Sequence, residues 1–303
     1  MRWLVYGNSL SFGWFLGAKR AFRSRSPDAP VSGPVTCCKA GLKWFPKFLS
    51  DEGWRLVFAS FHNCPMLASQ KLSPDLPRCP TIPWKLSPGL MGRVANEIHR
   101  IARDANRCHL PLRMAEVNSA SSGGKNGVSN VFAAALWGAD YSFTLAEQGA
   151  ADLNFHGGFY CSGYTPICAS HGHSFAQPLY YGMLLFHAAT PGRVVPASVR
   201  THANVAVHGV VSGDGTMRLV LIDKEGLDRV DVTVSGLAHY SRATVLRLVA
   251  PSFDSRTAIT FGGRTVDLNG SWEPEPAERV EAKGGAFLLQ LPAASAVVVA
   301  FRK

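Results

Sequence analysis

One stretch of the sequence, residues 112–119, reads LRMAEVNS and leads into a run of small residues at 120–124. The apolar residues before Glu116 predict a buried strand, and the serines and glycines after it predict a loop. A carboxylate at the carboxyl end of a strand, beside a glycine-rich loop, is typical of the catalytic edge of an α/β barrel. A glutamate there can equally cap the next turn or pair with Arg113. The stretch therefore predicts a strand that ends in either a catalytic or a structural carboxylate.

Strand-like and helix-like segments alternate on both sides of this stretch, over the first 190 residues. Strands are predicted at residues 3–6, 55–62, 112–117 and 151–155, and helices at 14–25, 42–50, 88–106, 129–149 and 179–189. A long loop with four prolines is predicted at residues 67–85. Because strands that alternate with helices are usually parallel, this part of the chain predicts an α/β domain at residues 1–190.

The residue pattern of the sequence changes after Pro191 and Gly192. Short segments rich in valine and leucine alternate with polar residues and are separated by glycine-containing turns. They lie at residues 205–211, 217–222, 230–234, 243–249, 286–291 and 296–301. This pattern predicts an antiparallel β-sandwich domain at residues 191–303.

The net charge of +10 is concentrated in the first third of the chain. Residues 1–116 hold 17 basic and 7 acidic side chains, whereas the remainder holds 14 of each. The basic residues are scattered and no nucleic-acid-binding signature is present, so we expect no nucleic-acid partner; an acidic sugar fits the charge equally well. No run of 18 apolar residues predicts a membrane span, and the N-terminus is a poor signal peptide, so the sequence leaves the localisation open.

The seven cysteines lie at positions 37, 38, 64, 79, 108, 161 and 168. Their spacing matches no zinc-binding pattern, and an odd number leaves at least one free thiol. Cys161 and Cys168 bracket a loop and can form a disulfide in an oxidising compartment. The default interpretation of the cysteines is buried thiols.

Several motifs together resemble glycoside hydrolase family 79, which contains β-glucuronidases and the heparanases. These motifs are RMAEVNS at 113–119, GG at 123–124, GVS at 127–129, AALW at 134–137, NFHGG at 154–158, YTPI at 164–167 and PLYYGMLLF at 178–186. The resemblance is continuous over residues 82–190, and residues 191–303 look like the C-terminal β domain of the family.

The resemblance implies a (β/α)8 barrel with an attached β-sandwich and a retaining hydrolase that needs no cofactor or metal. It implies a glucuronide or uronate-containing glycan as the partner and Glu116 as the nucleophile. Retention requires a second carboxylate about 5–5.5 Å away, which protonates the leaving oxygen and later activates water.

Five further residues are candidates for substrate binding, each with a structural alternative. Asn118 and Ser119 contact the sugar, fix Glu116 or form a turn, and His156 ends the last predicted strand before two glycines. Tyr164 either lines a uronate pocket or packs in its loop. His62 ends a strand, although Asn63 follows it where the family is expected to have an aromatic residue.

The chain also departs from the family. Counting strands back from Glu116 assigns strand seven to residues 112–117, six to 55–62, five to 34–37 and four to 3–8, with strand eight at 151–155. Strands one to three are then missing, which predicts an incomplete barrel. Ser9 stands where the family has its acid/base glutamate, and a hydroxyl cannot replace that acid near neutral pH.

The sequence thus predicts a β-glucuronidase-type hydrolase with impaired catalysis. The alternative is a non-catalytic carbohydrate-binding remnant or truncated gene product. Other carboxylates in loops are Asp51, Glu52 and Asp75, and none of them ends a strand.

Overall fold

The computed structural model describes Gly17 and residues 24–26, 28–67, 79–158 and 160–303. The chain divides into two compact units. The first takes in the described residues up to Cys64, together with Arg93–Asn118 and Gln148–His156. The second takes in the described residues of Pro65–Gly92, together with Ser119–Glu147 and Gly157–Lys303. The predicted boundary at residue 190 stays a prediction.

The first unit is built on a parallel sheet of four strands. They are β1 (Ser32–Cys37), β2 (Phe58–Asn63), β3 (Leu112–Val117) and β4 (Ala150–Phe155), and their order in the sheet is their order in the chain. All three pairings are parallel, as the alternation of strands and helices predicts. The strand predicted at residues 3–8 and the helix predicted at 14–25 lie largely outside the described residues.

Helix α1 (Cys38–Glu52) follows β1 and packs its apolar side against the sheet. Phe45 and Phe48 recur at helical spacing and are both 1% exposed, and the Phe45 ring meets the Phe61 ring of β2 edge to face at 5.3 Å. A short 3-10 helix at Gly53–Arg55 separates α1 from β2, so the strand predicted from residue 55 begins at Phe58.

The remaining helices are α2 (Ile82–Leu86), α3 (Pro88–Arg107), α4 (Ala133–Glu147) and α5 (Pro178–Ala189). The prediction of a loop over residues 67–85 is wrong at its end, where α2 is helical. The Thr81 hydroxyl accepts a hydrogen bond from the Trp84 amide (3.3 Å), and Pro83 is compatible with a helix's first turn. None of the helices in the described ranges is long and apolar enough to cross a membrane.

Helices α4 and α5 pack closely within the second unit because of one glycine. A Cβ added to Gly182 of α5 would lie 2.3 Å from the Ala135 carbonyl oxygen of α4, a distance that atoms cannot reach without moving the backbone. The sequence places Gly182 inside an otherwise apolar helix, where it costs helix propensity. The close helix contact explains this glycine.

The second unit contains the antiparallel strands. They are β5 (Ile167–Ser170), β6 (His173–Ala176), β7 (Arg193–Val195), β8 (Val205–Val211), β9 (Met217–Asp223), β10 (Val230–Val234), β11 (Arg242–Val249), β12 (Thr260–Phe261), β13 (Glu278–Glu281), β14 (Phe287–Leu291) and β15 (Ser295–Arg302).

Two antiparallel sheets share one apolar core in this region. The larger sheet has the order β12-β11-β15-β9-β8-β7, with β13 also paired to β11, and the smaller sheet pairs β10 with β14. Side chains of both sheets meet in the core, where Phe287 and Phe301 are fully buried with ring centroids 4.9 Å apart. The six strands predicted from residue 205 onward are all present.

A buried network of charged side chains links α4 to the larger sheet. Asp140 of α4 accepts a hydrogen bond from Lys224 Nζ (2.7 Å) and lies 3.1 Å from His208 Nε2. The other ring nitrogen of His208 lies 2.7 Å from Glu147 at the end of α4. The side chains of Asp140, His208 and Lys224 are at most 5% exposed, so their charges depend on one another.

The network shifts the pKa values of its members. Burial would lower the pKa of His208, but its bonds to Asp140 and Glu147 outweigh burial and raise it to about 9. Burial would raise the pKa of Asp140, but Lys224 and His208 together lower it to about 2. The network therefore favours protonated His208 and ionised Asp140 near neutral pH.

His208 makes folding stability depend on pH. Its folded pKa lies above the ordinary value of 6.5, so its stabilisation is complete below about pH 6.5 and is lost as the pH rises through about 9. We expect the free energy of unfolding of the wild type to fall by on the order of 2 kcal/mol relative to His208→Gln between these limits. Denaturant titrations of both proteins across this range check the difference.

The wild type has to be compared with His208→Gln because Lys85 changes stability with pH in the opposite direction to His208. Burial lowers the pKa of Lys85 to about 7, so its contribution makes the protein more stable as the pH rises from there to its ordinary value. That contribution is common to both proteins and cancels in the difference. Parallel pH profiles for wild type and His208→Gln would contradict the role of His208.

Candidate active site

Polar side chains gather at the carboxyl edge of the four-stranded sheet. Cys37 ends β1, His62 and Asn63 end β2, Glu116 lies one residue before the end of β3, and His156 follows β4. Because all four strands are parallel, their carboxyl ends lie at the same edge. In α/β proteins this is the edge that carries ligand-binding and catalytic groups.

Glu116 lies beside His62. The two residues are register partners in β2 and β3, where a register shift occurs between Phe61 and His62. His62 Nδ1 is 3.6 Å from Glu116 Oε2, longer than a hydrogen bond, and the Glu116 side chain is 39% exposed. The Glu116 carboxylate therefore lies next to an imidazole and is still accessible from solvent.

The surroundings of His62 favour its uncharged form. Burial lowers its pKa below the ordinary value, the negative charge of Glu116 opposes this shift, and the nearby His156 adds to the lowering. A neutral imidazole leaves the charge of Glu116 without a fixed cation at this contact.

The alternative in which Glu116 pairs with Arg113 is not what the structure shows. Arg113 lies three positions earlier in β3 and bonds to Asp152 of β4. Residues separated by an odd number of positions point to opposite faces of a strand, which accounts for the separation of these two side chains.

Asn118 and His156 join the ends of β3 and β4. Asn118 is fully buried, its side-chain amide donates to the His156 carbonyl (2.8 Å), and its backbone amide donates to the Asn63 carbonyl (3.2 Å). The His156 amide donates to the Val117 carbonyl (2.9 Å), while the His156 side chain is exposed. Asn118 thus fixes the backbone around Glu116, and its predicted contact with a sugar stays a prediction.

Ser119 and Tyr164 belong to the second unit. The Ser119 hydroxyl is buried and lies 3.2 Å from the Ser129 hydroxyl. Tyr164 is 7% exposed, and its backbone amide donates to the Gly123 carbonyl (3.1 Å). These contacts tie together the two loops that contain Ser119 and Tyr164, and the predicted roles of both residues in substrate binding stay predictions.

A disulfide joins Cys161 to Cys168 in the same unit. It closes the loop in which Tyr164 lies, and the Asn130 side chain donates to the Cys161 carbonyl (3.2 Å). The sequence allows either a disulfide between these two cysteines or buried free thiols, and the structure contains the disulfide.

The structure places the predicted alternatives for a second carboxylate away from Glu116. Asp51 and Glu52 end α1, which runs back from the carboxyl edge of the sheet, so both lie toward its amino edge. Asp51 pairs with Lys47 and Glu52 with Arg55, each at 2.9 Å. Ser9 and Asp75 lie outside the described residues.

Two features of this edge are missed by the sequence analysis. Glu97 of α3 accepts a hydrogen bond from the Asn63 side chain (3.0 Å), although its helical pattern marks it only as a polar-face residue. The thiols of Cys37, Cys38 and Cys64 lie close enough to influence one another electrostatically. The charge of Glu116 also contributes to raising the pKa values of Cys37 and Cys64. The only sequence signal for the thiols is that they follow the ends of two predicted strands.

The C-terminal part of the chain matches a known protein family. Residues 207–298 match the family described as the glycosyl hydrolase family 79 C-terminal beta domain. This match confirms the resemblance that the sequence predicts. No curated protein matches the chain.

Solved structures of glycosidases share the fold. A 4-O-α-L-rhamnosyl-β-D-glucuronidase from Fusarium oxysporum 12S, in a complex with Rha-GlcA, superposes with a TM-score of 0.75 at 20% identity over 89% of this chain and 59% of its own. The GH51 α-L-arabinofuranosidase from Thermotoga petrophila RKU-1 gives 0.65 at 13% identity, over 98% and 65%. A monomeric β-xylosidase from Caulobacter crescentus CB15 gives 0.60 at 16% identity, over 98% and 66%. The chain thus spans less than two thirds of these proteins.

Proposed function

We propose that this chain, which carries the family 79 C-terminal beta domain at residues 207–298, is part of a retaining glycoside hydrolase that acts on β-glucuronides. In this proposal Glu116 is the nucleophile. The observation that carries it is the position of Glu116 at the carboxyl edge of the parallel sheet, where it is accessible and lies beside His62.

The surroundings of Glu116 suit nucleophilic attack on a sugar. A nucleophilic carboxylate has to be ionised, held in place and free to reach the anomeric carbon. A permanent cation in contact would stabilise the resting carboxylate and oppose attack, whereas burial lowers the pKa of His62 and favours the uncharged imidazole. Asn118 holds the end of β3 through two hydrogen bonds, which restricts the motion of Glu116.

Two observations support a uronate as the sugar. The solved structure from Fusarium oxysporum with the same fold is a β-D-glucuronidase in complex with Rha-GlcA. The first 116 residues of this chain, which include the strand that carries Glu116, hold ten more basic than acidic side chains. An excess of positive charge in a chain favours its association with an anionic substrate.

Ser9 limits the reaction in this proposal. A retaining hydrolase needs an acid to protonate the leaving oxygen, and the family resemblance puts Ser9 at that position. A serine hydroxyl cannot deliver this proton near neutral pH. We therefore propose that the chain forms the glycosyl-enzyme only from sugars with very good leaving groups. The alternative is a module that binds the sugar without catalysis.

Covalent trapping distinguishes the two. A 2-deoxy-2-fluoro-β-glucuronosyl fluoride expels fluoride without an acid, and its ring fluorine slows hydrolysis of the intermediate. We expect the wild type to acquire one fluoroglucuronosyl group on the tryptic peptide at residues 114–125, which contains Glu116. Peptide mass spectrometry locates the group, and Glu116→Gln should acquire none. Folded wild type that stays unlabelled, or is labelled on another peptide, would contradict the proposed nucleophile.

A further inference from the structure

Two consecutive thiols lie in contact where β1 joins α1. Cys37 is the last residue of β1, Cys38 is the first of α1, and their sulfur atoms are 2.7 Å apart. Consecutive side chains of a regular strand point to opposite faces, which would keep these sulfurs apart. Cys38 has a φ of 65°, in the left-handed region, and this turn of the backbone brings the sulfurs together.

The pair is open to reagents on one side. Cys38 is exposed and Cys37 is half-buried. Burial, with the hydrogen bond to Cys38, raises the pKa of Cys37 to about 12, so its sulfur holds a proton at rest. The exposed sulfur is therefore the one that meets a reagent first.

A third thiol, that of Cys64, lies nearby. It follows β2, and burial raises its pKa to about 11. The other free cysteines of the described residues, Cys79 and Cys108, are not among the groups that influence this cluster. The contact between Cys37 and Cys38 is thus the feature that sets these two residues apart.

We propose that Cys37 and Cys38 form a redox modification site that a low-molecular-weight disulfide, such as oxidised glutathione, converts to a disulfide. Cys38 loses its proton to water and attacks one glutathione sulfur, and the glutathione disulfide bond breaks to release one glutathione. Cys37 then loses its proton and attacks Cys38 Sγ, and the mixed disulfide breaks to release the second glutathione. Two protein thiols are oxidised and one glutathione disulfide is reduced to two thiols.

The site adjoins the carboxylate edge described above. Cys37 is the register partner of His62, and His62 is the register partner of Glu116. The thiol pair therefore lies two strands away from Glu116 in the same sheet. The modification itself does not depend on the proposed hydrolase activity, so the two proposals fail or succeed separately.

Peptide mapping tests the proposal directly. Trypsin releases Cys37 and Cys38 together on the peptide at residues 26–39 and Cys64 on the peptide at residues 56–71. After incubation of the full chain with oxidised glutathione and alkylation with iodoacetamide, we expect the first peptide to carry no alkyl group and to have lost two hydrogen atoms. After dithiothreitol it should carry two alkyl groups.

Variants separate the vicinal bond from other thiol chemistry. Cys108→Ser should behave like the wild type, whereas Cys38→Ser should leave Cys37 alkylated or linked to one glutathione. Two alkylated cysteines in the oxidised wild type, two attached glutathiones, or a cross-link to the peptide at residues 56–71 would each overturn the proposal. The Cys64→Ser variant, in which the vicinal bond should still form, supports the assignment independently of that cross-link.

Discussion

Glu116→Gln is expected to lower the rate of release of an aryl aglycone with a very good leaving group by on the order of 10⁴-fold or more, because the proposed nucleophile is lost. The wild type should react measurably with such a β-glucuronide, since departure of the aglycone then needs little protonation. Spectrophotometric initial rates of both proteins check the effect.

A second variant tests whether removing any carboxylate from the protein, rather than that of Glu116, lowers the rate. Asp51→Asn removes a carboxylate that pairs with Lys47 on the exposed side of α1, toward the other edge of the sheet. Its rate should equal that of the wild type. An equal loss in both variants, or full activity in Glu116→Gln, would show that Glu116 is not the nucleophile.

The same substrate also tests the proposal that Ser9 replaces the acid/base. If no general base is present, water attacks the glycosyl-enzyme slowly, so azide should accelerate turnover and yield a β-glucuronosyl azide. A poor leaving group such as an alkyl aglycone should not react with or without azide. Rapid hydrolysis of an alkyl glucuronide would mean that another group supplies the proton.

Asp140→Asn is expected to lower the free energy of unfolding by about 3–5 kcal/mol, because it leaves the buried cation of Lys224 without its partner. Lys224 Nζ lies 2.7 Å from Asp140, and neither side chain is more than 5% exposed. An amide has the size of the carboxylate but not its charge, so the loss reports electrostatics rather than packing. Chemical denaturation at pH 7 measures it.

Two further variants define what this loss means. Asp231→Asn breaks an exposed pair with Arg229 (3.8 Å) and should cost less than about 1 kcal/mol. The double variant Asp140→Asn/Lys224→Met removes the stranded charge and should recover part of the stability. If Asp140→Asn is no more destabilising than Asp231→Asn, the buried network does not stabilise the fold.

Sequence patterns identify the local elements well. Residues 205–211 and 230–234 are predicted as strands from alternation alone, and β8 and β10 have these bounds. The strand at residues 112–117 is likewise found as predicted. Apolar periodicity is a property of neighbouring residues in the chain, so it can be recognised without knowing what the element packs against.

The predictions that depend on special backbone geometry are less accurate. The segment at residues 67–85 is predicted as a loop because of its prolines, yet Ile82–Leu86 is helical. Pro83 falls in the first turn, where a helix does not need the missing amide hydrogen. Whether a proline ends a helix or starts one is decided by the cap before it, which here is Thr81.

The sequence by itself determined where most of the longer strands and helices lie, that Glu116 lies at the carboxyl end of a strand, and which family the motifs resemble. Only the tertiary structure decided which polar groups meet. His62 faces Glu116 because two strands pair in parallel with a shifted register, and Asp140 reaches Lys224 across 84 residues of chain. The hydrophobic pattern depends on residues that are close together in the sequence. The partners of polar side chains depend instead on which elements become neighbours on folding.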